Sequence, residues 1–324
     1  MADKLLKFSS SPHVKAVRTT KQIMLNVCLA LIPACIMGII YFGYLAALTI
    51  LVAVISSVGA EVVYRLCLKE KFKDIIASLD NTSMVTGLII ALIVPATAHL
   101  YITAFASIFA IIVVKMLFGG TGYNLVNPAA AGRIFAFISF TTIMNSFVAP
   151  SIGAINNSVI TGATSLQSFL NDGSTLSNLD LLLGTGVAGC IGETCKVAIL
   201  VGAIYLAIKG IIKIWLPLIS VIVAGLVAVL LNSSIDAFLP AILSGGLIFG
   251  AFFMATDYVT NPVTTLGNII FFVLFGALTS ILRHFTGYET ASFAILLMNI
   301  LVPLIDKISF SKPFGYVKPK KGVK

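Results

Sequence analysis

The residues of this chain that could do chemistry are few, and they sit where hydrophobic runs break. Asp80 opens Asp80-Asn-Thr-Ser-Met-Val-Thr-Gly87, and Asn127 opens Asn127-Pro-Ala-Ala-Ala-Gly-Arg133. Glu193 lies in Gly189-Cys-Ile-Gly-Glu-Thr194, and Asp257 in Phe253-Met-Ala-Thr-Asp-Tyr-Val-Thr-Asn-Pro262. Ser, Thr, Asp and Asn satisfy the free N–H groups at helix starts, and the same groups can hold an anion. A carboxylate in low dielectric needs a cation, a set of donors or a proton. Each stretch therefore has two readings: a helix cap, or part of an ion path or ligand environment. Glu61 and Arg65 stand four residues apart, one turn along a helix face, and predict an internal ion pair; a carboxylate on an ion path is the alternative.

Thr161-Gly-Ala-Thr164 offers two hydroxyls around two small residues, and in isolation it reads as a turn. The five cysteines include no C-x-x-C pair, which excludes the usual zinc, cluster and c-type haem spacings. Cys190 and Cys195 are near enough in sequence for a disulfide, although a small apolar residue is the plainer role for each. Nothing places His99 and His284 together as haem ligands. No glycine-rich nucleotide fingerprint is present.

The elements that must position these residues are hydrophobic. Of 324 residues, 59% are hydrophobic and 10% charged. A soluble domain carries roughly 25% charged residues, so this chain could not cover a water-facing surface. About ten apolar segments are expected, at 22–42, 44–68, 82–95, 97–118, 129–149, 195–212, 215–232, 238–255, 268–287 and 290–306. The third would be only about 21 Å long against a hydrocarbon core of about 30 Å. It is either extended by its flanks or stops inside the protein, where its backbone ends can be satisfied. The fold class is thus an all-α integral membrane protein in the lipid bilayer. The net charge of +9 lies in a few end segments, a pattern that fits orientation and anionic lipid and gives nucleic-acid binding no support.

Lysine and arginine placement gives the topology. Lys4, Lys7, Lys15, Arg18 and Lys21 keep the N-terminus in the cytoplasm, and ten spans bring the Lys-rich C-terminal tail back there. The loop 150–193 has no Lys or Arg and falls outside; Arg283, near an outer end, fits less well. Thr121-Gly-Tyr-Asn124 recurs as Thr286-Gly-Tyr-Glu289, each ahead of a fifth apolar segment, and Thr19-Thr-Lys-Gln-Ile-Met-Leu25 resembles Thr194-Cys-Lys-Val-Ala-Ile-Leu200. The expected organisation is a first five-helix repeat with its N-terminal segment (1–149), an outer loop (150–193), and a second repeat with the basic tail (194–324). Five is odd, so the repeats are inverted, and inverted repeats place functional sites at mid-membrane between the halves.

Taken together the chain resembles the D subunits of Rnf complexes and, more distantly, the B subunits of sodium-pumping NADH:quinone reductases. The resemblance runs through Ser11-Pro-His13, Thr19-Thr20, Asp80, Val85-Thr-Gly87, Asn127-Pro-Ala129, Thr161-Gly-Ala-Thr164, Gly192-Glu-Thr194 and Phe253-Met-Ala-Thr-Asp257. It implies a redox subunit of a bacterial or archaeal cell membrane, coupling ferredoxin:NAD⁺ oxidoreduction to Na⁺ or H⁺ transport, with ferredoxin and NAD⁺ bound by other subunits of the complex. It implies covalent FMN esterified through its phosphate to Thr164, within Thr161, Gly162, Ala163 and Thr164, and a flavin transferase to attach it. Ser158 stands where that motif has Asp. The resemblance also suggests a second, non-covalent riboflavin. Asp80, Asp257, Glu193 and Asn127 are the candidates for the ion path or flavin environment. The rival reading is a secondary transporter or channel, which inverted repeats and broken helices suit equally.

Overall fold

The first helix, α1 (Thr20–Phe42), begins at a capping box: the Thr19 hydroxyl accepts from Gln22 N, and the Gln22 side chain accepts from Thr19 N. It ends at Gly43, whose φ of 68° an L side chain rarely adopts, and the chain reverses there directly into α2 (Tyr44–Cys67). The structure is a computed structural model that describes residues 18–150, 166 and 177–310. All four residues of the Thr161–Thr164 motif lie outside the described residues.

Along α1 the large side chains Leu25, Leu29, Ile32 and Ile36 are exposed, while Ala30, Ala34 and Gly38 are buried. Small residues inside and large apolar ones outside invert the pattern of a water-soluble helix. Close backbone approach between helices, with a fatty outer face, is what a bilayer selects. The chain is a multi-pass, all-helical membrane protein.

Every expected segment has a helical counterpart, but not every one is long enough to cross. Five helices are long and apolar enough: α1, α2, Trp215–Asn232, Thr265–Thr286 and Ala291–Ser309. Two bent helix pairs pass the same test together, each a broken span or a re-entrant loop: Phe72–Ser78 with Thr82–Leu92 (α3 and α4, 68°) and Ile235–Leu243 with Leu247–Met254 (65°). Leu100–Met116, Pro128–Ser139 and Lys196–Ile208 are apolar but shorter. Among the described residues the count of crossings by length is thus five to seven, where the hydropathy pattern predicts about ten. In chain order the remaining elements are α5 (Leu100–Met116), α6 (Pro128–Ser139), α7 (Thr141–Met144), α8 (Asn178–Leu183), α9 (Lys196–Ile208), α10 (Trp215–Asn232), α11 (Phe238–Leu243), α12 (Leu247–Met254), α13 (Thr265–Thr286) and α14 (Ala291–Ser309). The last turns of α5, from Ala110, and of α12, from Gly250, are π-helical. Among the described residues there are no strands, only two isolated bridges, Pro95 with Cys190 and Val148 with Gly189.

Those bridges explain why α4 stops inside the protein. It ends at Leu92, and the chain at 191–192 comes alongside: Gly192 N donates to Leu92 O at 2.7 Å and Ile191 N to Val94 O at 3.3 Å. The inserted segment supplies donors that the helix itself lacks, which is how broken backbone is tolerated at membrane depth. Val187–Glu193, expected as the end of an outer loop, is accordingly buried.

The first helices of the two five-segment sets, α1 and α9, pack directly on one another. A side chain at Gly202 of α9 would meet the Ala30 carbonyl of α1, with the Phe253 ring 3.0 Å away. Neither the carbonyl nor the ring can withdraw without moving a helix. Gly202→Leu should therefore destabilise the protein by about 1–3 kcal/mol, read as a lower midpoint of thermal unfolding in detergent. An unchanged midpoint would mean that the two helices are not in contact at this glycine.

Candidate functional site: polar clusters at the two helix breaks

The first break lies at Leu79–Asn81. Asn81 takes a left-handed conformation (φ 65°) that turns α3 into α4. The Asp80 carboxylate accepts from Thr82 N at 3.1 Å and from the Thr82 hydroxyl at 2.6 Å, so it caps the start of α4. Beneath it sits a buried ionic cluster. Lys115, in the π-helical last turns of α5, donates to Glu61 at 3.1 Å, to Ser83 at 3.0 Å and to Thr82. The Ser83 hydroxyl also donates to Glu61. Arg65 approaches the other Glu61 oxygen at 3.8 Å, the ion pair expected from the i,i+4 spacing, and ties back to Ser78 at 2.6 Å.

The second break lies at Ser244–Gly246, where Gly245 has φ 63°. It is held by groups from both sides. Lys196, at the start of α9, donates to Gly245 O at 2.9 Å and to Glu193 O. Glu289 accepts from Gly246 N at 2.9 Å and from Arg283 at 2.7 Å, and it also accepts from Ala291 N at the start of α14. Arg283 in turn donates to Ala241 O at 3.0 Å, satisfying a carbonyl in the last turn of α11. Each break is thus pinned by a basic side chain from the end of the long helix that follows it, Lys115 or Arg283. The recurring Thr-Gly-Tyr motif follows at once: Thr121 lies 3.2 Å from Thr82 at the first break, and Glu289 holds the second.

Glu193 does not cap a helix. Its Oε1 accepts from Cys190 N at 3.1 Å, and its Oε2 is buried without a partner among the described residues. Asn127 does cap one: Oδ1 accepts from Ala129 N and Ala130 N at 3.0 and 3.2 Å, with Pro128 at the first helical position. Its amide also donates to Met254 O at 2.9 Å, joining α6 to the end of α12. Asp257 is partly exposed and loosely held, with Val259 N at 3.5 Å and the Thr260 hydroxyl at 3.3 Å. Outside the apolar helices, hydrogen bonds from Thr185 and Ser177, each 2.7 Å, hold the Asp180 carboxyl below its ordinary range. All five cysteines are free, so Cys190 and Cys195 form no disulfide.

Two cavities adjoin these clusters. One, with about 820 Å³ of open space, has apolar walls that include Met24, Val27, Ile89, Phe252 and Phe253. Its polar rim includes Thr82, Lys115, Asn124, Asn127 and Asp257. The other, of about 570 Å³, is bordered by Arg133, Phe137, Leu166, Glu193, Lys196, Tyr288 and Glu289. Asp257 and Asn127 therefore share one cavity, Glu193 borders the other, and the structure does not bring all four sequence candidates together. Lys115, Lys196, Arg283, Ser83 and Glu289 are polar groups that sequence reasoning does not put forward as site residues. Arg283 gives a signal as the cation that misfits the topology, Glu289 as the end of the recurring Thr-Gly-Tyr motif, and Ser83 by lying in the polar stretch after Asp80.

A model of the NQR2, RnfD, RnfE family matches residues 7–315. The chain is 40% identical over 323 residues to the D subunit of the Na(+)-translocating ferredoxin:NAD(+) oxidoreductase complex of Acetobacterium woodii, covering 98% of each protein. It is 35% identical over 324 residues to the D subunit of the proton-translocating ferredoxin:NAD(+) oxidoreductase complex of Clostridium ljungdahlii, covering 96% of each. It is 32% identical over 353 residues to the D subunit of an ion-translocating oxidoreductase complex of Escherichia coli, covering 97% of this chain and 99% of that one. With a family match over nearly its whole length and full-length relatives above 30% identity, the chain belongs to the NQR2, RnfD, RnfE family.

Proposed function

We propose that this chain is the flavin-bearing membrane subunit of an ion-translocating ferredoxin:NAD⁺ oxidoreductase complex. The observation that carries the reading is 40% identity, across 98% of both proteins, to a relative named as the D subunit of such a complex. Relatives named for sodium and for proton translocation are both similar along their length, so the transported cation is one of these two. Ferredoxin and NAD⁺ bind other subunits in this reading.

FMN is carried on Thr164 through its phosphate, attached by a flavin transferase. Bound there, the isoalloxazine ring supplies one- and two-electron redox chemistry. The chemistry of the residues around the cavity bordered by Leu166 suits such a group. Arg133 and Lys196 are donors suited to phosphate oxygens, and Phe137 and Tyr288 offer aromatic edges and faces. Two residues of chain span at most about 7 Å, which keeps an attachment at Thr164 within reach of Leu166. The larger cavity suits a second flavin, riboflavin. Its Phe252 and Phe253 walls match a flat ring, and its polar rim matches a ribityl chain.

The two five-segment sets are inverted repeats in this reading, with both termini cytoplasmic and loop 150–193 outside. The third span of each set is the bent one, and the bends, 68° and 65°, are nearly equal. The break at Asp80 then lies toward the cytoplasm and the break at Gly245 toward the outside, beside the flavin of Thr164. Asp257 and Asn127 at one cavity, and Glu193 at the other, are the places where this chain meets a flavin or an ion. Asp80 serves chiefly as the cap of α4.

Deleting the chain tests the reading. Membranes lacking it should lose ferredoxin-driven NAD⁺ reduction and the cation transport coupled to it, and the wild-type chain should restore both. Full activity in the deletion would assign this chain to another process.

A further inference from the structure

An asparagine midway along an apolar membrane helix needs a reason. Asn299 lies in α14 between Met298 and Ile300 and is 3% exposed. Burying a carboxamide there costs free energy unless its polar atoms find partners, and in membrane proteins such partners come from neighbouring elements. One orientation of the carboxamide satisfies its surroundings. Its nitrogen donates to Ile295 O at 2.6 Å, and its oxygen accepts from Thr260 Oγ1 at 3.0 Å and from Asn127 N at 3.2 Å.

Both donors lead to the rim of the larger cavity. Asn127 lines it and opens α6. At the start of that helix Pro128 has no N–H, and the Asn127 side chain accepts from Ala129 N and Ala130 N. The N–H of Asn127 itself is the remaining unpaired donor, and Asn299 accepts it. Thr260 reaches the rim through Asp257, which also lines the cavity. Its hydroxyl lies 3.3 Å from Asp257 Oδ2 and 3.0 Å from the Asn299 oxygen. A hydroxyl has a single hydrogen, so the two acceptors share it, and the loose hold on Asp257 follows. None of the described residues lining the cavity comes from α14, so Asn299 stands behind the wall. Farther along α14, Asp306 accepts from Val263 N at 3.1 Å, and Ser309 Oγ lies 2.7 Å from Thr264 Oγ1. Neither Val263 nor Thr264 lines the cavity, so these ties anchor the linker away from its rim.

We propose that Asn299 is a positioning residue of the larger cavity, setting Asp257 through Thr260 and the start of α6 through Asn127. This rests on the reading of that cavity as the riboflavin site. Asn299 touches no ligand. It fixes where the polar groups of the rim stand before a ligand arrives, and a rim ordered beforehand binds more tightly than one ordered on binding.

Equilibrium dialysis of the assembled complex against riboflavin tests the proposal. The flavin released on denaturation is counted, and covalent flavin stays on the chain. Well below the unfolding midpoint, Asn299→Leu should weaken riboflavin binding about tenfold, because it strands a buried N–H at the rim. Thr260→Val keeps the shape, removes the hydroxyl and should weaken binding about threefold. The double variant should bind no more weakly than Asn299→Leu, since both act through one contact. Ser309→Ala cuts a tie of α14 to the linker away from the rim and should bind as wild type. Wild-type affinity in Asn299→Leu, factors that multiply in the double variant, or equal weakening by Ser309→Ala each overturn the proposal. If Asn299→Leu does not assemble, Thr260→Val decides alone, and wild-type affinity there overturns it. If wild type takes up no riboflavin, the cavity reading fails by itself, and amide hydrogen exchange decides the positioning. Residues 257–261 should then exchange faster in Thr260→Val than in wild type, and an unchanged rate overturns the proposal.

Discussion

Thr164→Ala is expected to strip the chain of covalent flavin completely while leaving it in the membrane. A phosphoester needs a hydroxyl oxygen, and alanine has none, so the effect is all or nothing rather than graded. The hydroxyl of Thr161, three residues earlier, is the natural control: Thr161→Ala should leave the flavin in place. Neither exchange alters hydropathy enough to disturb insertion. Flavin fluorescence of the denatured band in a gel reads the result directly. A fluorescent band in Thr164→Ala would move the attachment elsewhere. Loss of the band in both variants would indicate that the motif is needed for recognition by the transferase and would leave the acceptor unassigned between the two threonines. Thr164→Ser separates those cases, since it keeps the hydroxyl at the proposed acceptor.

The second large effect belongs to the ionic cluster under the first break. Glu61 is 2% exposed and Lys115 3%, and the Glu61 carboxylate is the only one within 4 Å of that ammonium among the described residues. Glu61→Gln leaves Lys115 charged and buried with only neutral acceptors, the two hydroxyls and an amide oxygen. Breaking one side of a buried pair costs about 3–5 kcal/mol, because the surviving charge is uncompensated. The expected result is a marked fall in the thermal unfolding midpoint. Removing both charges should recover most of it: Glu61→Gln with Lys115→Met leaves no stranded ion, and such exchanges are often close to neutral. A double variant as unstable as Glu61→Gln alone would show that the cost comes from lost hydrogen bonds to Ser83 rather than from a stranded charge.

The contrast between these clusters and the sequence shows what hydropathy can and cannot reveal. The long apolar runs are legible because lipid-facing helices need large apolar side chains throughout, as Leu25, Leu29, Ile32 and Ile36 illustrate. The short third segment is legible too, since a helix of that length cannot span a bilayer. The break at Ser244–Gly246 is not: its flanks, Phe238–Leu243 and Leu247–Met254, are apolar, so averaging over a window hides it. The adjacent glycines Gly245 and Gly246 are the available signal. Lys115 lies near the end of the apolar segment 97–118 with nothing in the sequence to mark it, and Arg283 is a cation out of place. The structure gives both the same task, pinning a helix break from the last turns of the next long helix. Charge-counting rules assume that a cation seeks water, and these two seek a buried carboxylate instead. Glu193 stands out in the sequence as a polar break, and of its two readings the structure removes the helix cap: its carboxylate accepts from Cys190 N, three residues back. What sequence does not foresee is that the stretch holding both, 189–193, inserts against the end of α4, a contact across some hundred residues of chain.

The central claim is that this chain itself carries a flavin. Intact mass spectrometry of the wild-type chain, purified from its native membranes, tests it most directly, with fragmentation to locate any added mass. The account predicts a chain heavier by a single phosphoester-linked FMN, with the added mass on the fragment containing Thr164. A chain at its bare sequence mass would contradict it.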